Sequence, residues 1–283
     1  MLPRVLTTVA EIRSALQPYR RAGKRIGLVP TMGALHAGHL SLVRAAKAEC
    51  DVTVVWIYVN PSQFGPHEDL ANYPRTLQAD LEKLATCNAE LVMAPSDAEV
   101  YRPGHATWVD AGAIAEPLEG RCRPGHFRGV ATVVLKLLNM IQADAAYFGQ
   151  KDYQQAAVIR RMVADLDVPV EIRVCPIIRE SDGLAMSSRN VYLGPPARQQ
   201  ATVLWQSLEL AWQLVAGGER DAAAVVRQMT DLILAAGATI EYVALVDPDS
   251  LAAVGQIVGP TLAVLAVRIG GTRLIDNAIL EPP

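Results

Sequence analysis

Eight segments of this 283-residue chain alternate between short apolar runs and amphipathic patterns, and that alternation constrains the fold more than any single motif. The predicted order is strand Ile26–Val29, helix Leu40–Cys50, strand Val52–Val59, helix Leu77–Cys87, strand Leu91–Ala94, helix Val130–Ile141, strand Ala145–Phe148 and helix Gln154–Leu166. Strands separated by helices pair in parallel, because a crossover is needed to bring the chain back to the sheet. The run from Val52 to Val59 lacks in-and-out alternation, as expected of a parallel strand covered on both faces. These features predict an α/β fold with a Rossmann-like doubly wound parallel sheet over residues 1–179, its ligands beyond the carboxyl ends of the strands.

After Arg179 the texture changes. Glu180-Ser181-Asp182-Gly183 reads as a turn and Gly194-Pro195-Pro196 as a break, followed by Ala-rich helical patterns over Arg198–Ala216 and Ala222–Ala235 and strand-like runs at Ile240–Val246 and Leu262–Ile269. Residues 180–283 are therefore expected to form a smaller C-terminal α+β domain. Trp205, Leu208 and Trp212 fall at helical spacing and read as its core.

Three polar motifs sit just past predicted strands: Met32-Gly33-Ala34-Leu35-His36-Ala37-Gly38-His39, Asn60-Pro61-Ser62-Gln63, and Gly149-Gln150-Lys151-Asp152. In the first, two histidines three residues apart open a helix, where unpaired N–H groups and the helix dipole favour phosphate. Neither a Walker A loop nor GxGxxG nor HExxH is present. Phosphate binding is therefore assigned to the histidine turn, Lys151, and the loop Met186-Ser187-Ser188-Arg189, whose hydroxyls and guanidinium suit a pyrophosphate and which otherwise reads as an ordinary turn. The histidines would stabilise charge on an α-phosphate during in-line displacement, a task for donors and not for a nucleophile. Gln63 and Gln155 carry neutral amides suited to orienting a hydroxy-acid while leaving its carboxylate anionic; their alternative is solvent-facing polarity. Asp80 reads either as a lone carboxylate for Mg²⁺ or as a solvated helix residue. The basic, Gly-rich run from Arg121 to Gly129 is placed at the same mouth, and His67 and His105 on the surface.

A net charge of −3 gives no electrostatic footprint for nucleic acid or an anionic membrane, so small ligands fit better than polymers. The four cysteines form no CxxC pair and read as thiols of a reducing compartment. No signal-like core follows Met1, and no apolar run reaches the ~18 residues of a membrane span, so a cytoplasmic protein is expected.

Taken together, Val29–His36, His36–His39, Val59-Asn60-Pro61, Tyr73-Pro74-Arg75-Thr76, Arg123–Val130, Phe148–Gln155, Ser187–Asn190 and the tail Arg273–Asn277 resemble the pantothenate synthetase (pantoate–β-alanine ligase) family, a branch of the HxGH nucleotidylyltransferase superfamily. The resemblance implies that pantoate attacks the α-phosphorus of Mg²⁺-ATP to give pantoyl adenylate and pyrophosphate, after which β-alanine displaces AMP to give pantothenate. It implies ATP contacts from Met32 through His39, at Gly149, Gln150, Lys151, Asp152 and Ile178, and from Met186 through Arg189. His39, His36 and Lys151 would be catalytic, with His39 usually designated the proton donor. Gln63, Gln155, Asn60 and Tyr73 would hold the acid substrates, and Asp80 matches an acidic position near metal. A cytoplasmic homodimer whose C-terminal domain partly covers the active site is also implied. Two positions depart from the pattern: Gln150 where many relatives have Glu, and Ser62 where Met is common.

Two other functions compete. In a simple nucleotidylyltransferase a phosphate would attack the nucleotide, which the paired glutamines and the scarcity of cations near Gln63 disfavour. A non-catalytic ATP-binding protein would not need both histidines, Lys151 and Ser187-Ser188-Arg189.

Overall fold

The computed structural model describes residues 1–66 and 68–283; His67 lies outside the described residues. The chain divides into two compact units, Met1–Gly149 with Gln154–Pro176, and Gln150–Tyr153 with Ile177–Pro283.

In chain order the first unit comprises β1 (Arg4–Leu6), α1 (Val9–Arg21), β2 (Ile26–Thr31), α2 (Ala37–Glu49), β3 (Val52–Ile57), α3 (Leu77–Ala85), β4 (Leu91–Met93), α4 (Asp97–Val100), α5 (Glu119–Cys122), α6 (His126–Ile141), β5 (Ala145–Gly149), α7 (Tyr153–Asp165, its first residue grouped with the second unit) and β6 (Glu171–Cys175). Its six strands are all parallel, in the order β1-β4-β3-β2-β5-β6. The missing alternation in the β3 sequence has a direct cause: Val52, Val54 and Trp56 enter a core with α1, α6 and α7, while Val55 enters a second core with α2 and α3. Both faces are apolar because both are covered.

The helix after β2 packs on one face of the sheet and the helix after β5 on the other, although β2 and β5 are neighbours. The chain changes sides between these two strands, and such a switch point leaves a crevice at their carboxyl ends. The loops leaving β2 and β5 therefore start at the ligand-binding edge of the sheet.

Five elements of this unit escape the apolar-run criterion, among them the single-turn helices α4 and α5. β1 has three residues, and β6 alternates charged with apolar residues, as an edge strand does. α1 is started by a capping box, in which the Thr8 hydroxyl accepts from Glu11 N–H and the Glu11 carboxylate accepts from Thr8 N–H. α6 begins at His126, four residues before the predicted start, since Gly125 at φ 82° turns the chain directly into it.

The second unit carries α8 (Pro195–Gln200), α9 (Val203–Ala216), α10 (Ala222–Ala235) and an antiparallel sheet β7-β8-β9 (Thr239–Val246, Thr261–Ile269, Thr272–Leu280). The helix predicted over Arg198–Ala216 is two helices, the first opened by Pro195 and Pro196. β9 joins β8 through a two-residue turn, Gly270-Gly271, both at positive φ. Leu208 lies in the core as expected and Trp205 packs against it, but Trp212 is exposed: the buried stripe of α9 runs through Leu204, Leu208, Ala211 and Val215, one position out of phase. No described helix is long and apolar enough to cross a membrane.

Candidate active site

The loop leaving β2 has a specific backbone shape. Gly33 and Ala34 both adopt positive φ (83° and 50°), which turns the N–H groups of Ala34 and Leu35 toward α3. There the Asp80 carboxylate accepts both, Leu35 at 2.8 Å and Ala34 at 3.0 Å, and also the Thr76 hydroxyl at 3.2 Å. One turn along the same helix, Lys83 Nζ donates to the Leu35 carbonyl at 2.7 Å. Asp80 is wholly buried, so it is neither a solvated helix residue nor, with both oxygens committed to the loop, a fitting Mg²⁺ ligand. It anchors the loop. Among the described residues no group of three His, Cys, Asp or Glu could hold a metal ion.

Beyond the loop the two histidines cap α2 reciprocally. His36 Nδ1 accepts from Gly38 N–H at 3.2 Å, and His39 Nδ1 accepts from His36 N–H at 3.3 Å. An imidazole that accepts at Nδ1 carries its hydrogen on Nε2, so both rings become Nε2–H donors. The rings lie 4.0 Å apart between centroids. The first turn of α2 carries no acidic residue, so the positive end of the helix dipole is not offset from within the helix.

After β3, Asn60 is a saturated hub. Its Nδ2 donates to Gln63 Oε1 (3.0 Å) and the Gly129 carbonyl (3.3 Å), and its Oδ1 accepts from Ser62 Oγ and Tyr101 Oη, each at 2.9 Å. Asn60 thus orients its neighbours, with its own hydrogen-bonding capacity used by protein. Because Gln63 Oε1 is taken, its Nε2 faces Met32, 3.2 Å from the sulfur, which brings the β2 and β3 loops together. Ser62 adds its hydroxyl to this network.

The Gly-rich motif before α6 supports Gln63 from beneath. A Cβ at Gly129 would lie 2.2 Å from the Ser62 carbonyl oxygen, so only glycine lets α6 approach the 60–63 turn. Arg123 donates to His126 Nε2 at 3.0 Å, and arginine cannot accept, so the His126 hydrogen sits on Nδ1 and is donated to the Gln63 carbonyl at 2.8 Å. Arg123 is itself held by Glu68 in a two-pronged ion pair. Burial first, then the Arg123 charge, lower the His126 pKa to about 4, so the ring is neutral. No composition signal gave His126 this task, although its motif was visible.

Tyr73 is buried, its ring edge-on to Phe64 at 5.8 Å. The adjacent glutamines of α7 divide their work: Gln154 is buried, donating to the Ile114 and Pro117 carbonyls and accepting from Glu119 N–H, whereas Gln155 is half-buried and its side chain makes no hydrogen bond among the described residues. His105, expected on the surface, is partly buried between Tyr101 and Trp108.

In the second unit, Gln150–Asp152 form one 3₁₀ turn. Asn277 Nδ2 donates to the carbonyls of Gln150 (3.0 Å) and Lys151 (2.9 Å). Ile178 and Met186, far apart as sequence assignments, are joined in a hairpin where Met186 N–H donates to the Ile178 carbonyl at 2.9 Å. Arg179 fixes this hairpin, pairing with both oxygens of buried Asp276 and lying 3.9 Å over the Trp205 ring. Ser187 Oγ accepts from Arg189 N–H and starts the short helix that carries Ser188 and Arg189. The first unit thus holds two imidazole donors at a helix start, and the second a lysine turn and a Ser-Ser-Arg cap.

Known proteins share the family and the fold of this chain. The pantoate-beta-alanine ligase family profile matches residues 4–279. Pantothenate synthetase of Roseiflexus castenholzii is 55% identical over 279 residues, 98% of this chain and 99% of that protein. The crystal structure of pantothenate synthetase from Thermus thermophilus superposes with a TM-score of 0.94 at 43% identity, covering 99% of this chain and 100% of that one. The pantoate-beta-alanine ligase from Francisella tularensis, complexed with beta-gamma ATP and beta-alanine, gives 0.84 at 34% identity over 98% and 97%.

Proposed function

We infer the reaction course from one premise: the chain belongs to the pantoate–β-alanine ligase family. It is an ATP-dependent pantothenate-forming enzyme, and we assign it two steps. The pantoate carboxylate attacks the α-phosphorus of ATP, forming the P–O bond of pantoyl adenylate as the bond to pyrophosphate breaks. The β-alanine amine then attacks the acyl carbon, forms the amide and releases AMP.

The observation that carries this assignment is the reciprocal histidine cap, which makes both rings Nε2–H donors at the start of α2. Fixed donors stabilise charge that builds up on phosphate oxygens in the transition state without reorganising at that moment. His39 and His36 take that role, the residues Met32 to Gly38 lie along the nucleotide, and Lys151 with Ser187, Ser188 and Arg189 meets the phosphates. Gly149, Gln150, Asp152 and Ile178 contact ribose and base. Gln63 and Gln155 read the pantoate hydroxyls while leaving its carboxylate charged and nucleophilic, with Tyr73 as a wall and Asn60 as the orienting hub. Mg²⁺ is assigned to arrive with the triphosphate, since Asp80 is committed to the loop. We extend the proposal to a cytoplasmic homodimer.

Single-turnover rapid quench tests the scheme. Pyrophosphate should form with ATP and pantoate alone, and AMP only once β-alanine is added. AMP and pyrophosphate appearing only together, with no adenylate trapped, would overturn the two-step course.

A further inference from the structure

On the assignment of Lys151 to ATP phosphates proposed above, we propose that Asn277 of β9 is a positioning residue that fixes the direction in which Lys151 leaves the chain. The Gln150 carbonyl belongs to the peptide unit before the Lys151 Cα, and the Lys151 carbonyl to the unit after it. One planar amide donates to both, at 3.0 and 2.9 Å, so both peptide units flanking that Cα are tied to a single rigid group. The Gln150 side chain closes the arrangement by donating from Nε2 to Asn277 Oδ1 at 3.3 Å. Both N–H groups of the Asn277 amide are thereby used. A lysine side chain has many rotamers, and anchoring its base narrows where its ammonium can go.

Asn277 is itself held. It is 2% exposed, and its N–H is accepted by Asp276 Oδ1 at 2.8 Å. Successive strand residues point to opposite faces, so Asp276 reaches Arg179 while Asn277 reaches the lysine turn. The Arg179–Asp276 pair thus braces the strand position from which Asn277 acts. The Arg273–Asn277 tail, which carried only resemblance in the sequence, acquires a physical task.

The test compares Asn277→Ala, Lys151→Ala and the double variant in the full-length enzyme. Calorimetric ATP and pantoate titrations would be joined to hydrogen–deuterium exchange of the peptide spanning residues 149–155. Asn277→Ala should weaken ATP about tenfold, leave pantoate affinity within about twofold, speed exchange in that peptide, and add nothing once Lys151 is alanine. Additive losses in the double variant, or unchanged exchange, would overturn the proposal. Faster exchange with ATP affinity insensitive to Lys151→Ala would uphold the positioning and remove Lys151 from the nucleotide assignment. Should Asn277→Ala be too unstable to purify, Asn277→Leu keeps roughly the size, removes both donors without adding a charge and serves the same comparison.

Discussion

The loop that leaves β2 and the turn that leaves β5 begin on either side of the same switch point, yet they are held by opposite strategies. The β2 loop is braced from nearby in the chain: its histidines cap one another, and its backbone is anchored by Asp80 and Lys83, 45 to 48 residues on. The β5 turn is braced from 126 and 127 residues away, by one asparagine near the end of the chain. On the assignments proposed above, groups that do chemistry are local in one case while the group that aims them is remote in the other.

The largest effect should come from removing the local anchor. Asp80→Ala leaves the buried Leu35 N–H and the half-buried Ala34 N–H without an acceptor, at no more than about 1–3 kcal/mol each, so the unfolding free energy should drop by up to roughly 6 kcal/mol, read by denaturant titration. A drop below about 1 kcal/mol would mean that the loop holds its own shape. His39→Ala should slow adenylation by roughly 10²- to 10³-fold, the scale for one preorganised donor. Single-turnover rates within threefold of the parent would reduce His39 to a helix cap.

A pH titration probes the support beneath Gln63. His126 has a folded pKa of about 4 against an ordinary 6.5, so the unfolded chain takes up a proton first as pH falls. Unfolding free energy should therefore decline between pH 6.5 and 4, by roughly 3 kcal/mol in total, and this contribution should flatten below pH 4. His126→Gln should lack that slope; an equal slope would place the titration elsewhere. The smallest effect is expected at Gln150→Glu, which sets a carboxylate against Asn277 Oδ1 but spares both bonds to main-chain carbonyls. ATP affinity should change by less than tenfold, about 1.4 kcal/mol. A larger change would show that the side-chain bond, and not the carbonyl clasp, holds the turn.

The same contrast decides what the sequence made legible. The β2 loop could be read because strand, tight turn and helix start follow one another within 14 residues, Ile26 to His39. The anchoring by Asp80 could not, because its partners in the loop are backbone N–H groups, which carry no residue signature. Gln154 and Gln155 look alike as letters and differ only through helical phase, which puts one against the Ile114–Glu119 segment. β9 was concealed by Arg273, Asp276 and Asn277, polar residues that break an apolar run, the last two because they serve as braces; the Gly270-Gly271 pair was the available signal for it.

The reciprocal histidine cap also bears on selection. Ser, Asp or Asn would begin α2 better than histidine, and Glu three residues on would complete the cap. A lineage kept only for its stability would drift toward those residues, at the rate at which better caps arise by mutation. If the two rings do the chemistry proposed above, histidine at both ends of the cap is a compromise that folding alone does not favour, and positions 36 and 39 should be among the first to change in a descendant relieved of that chemistry.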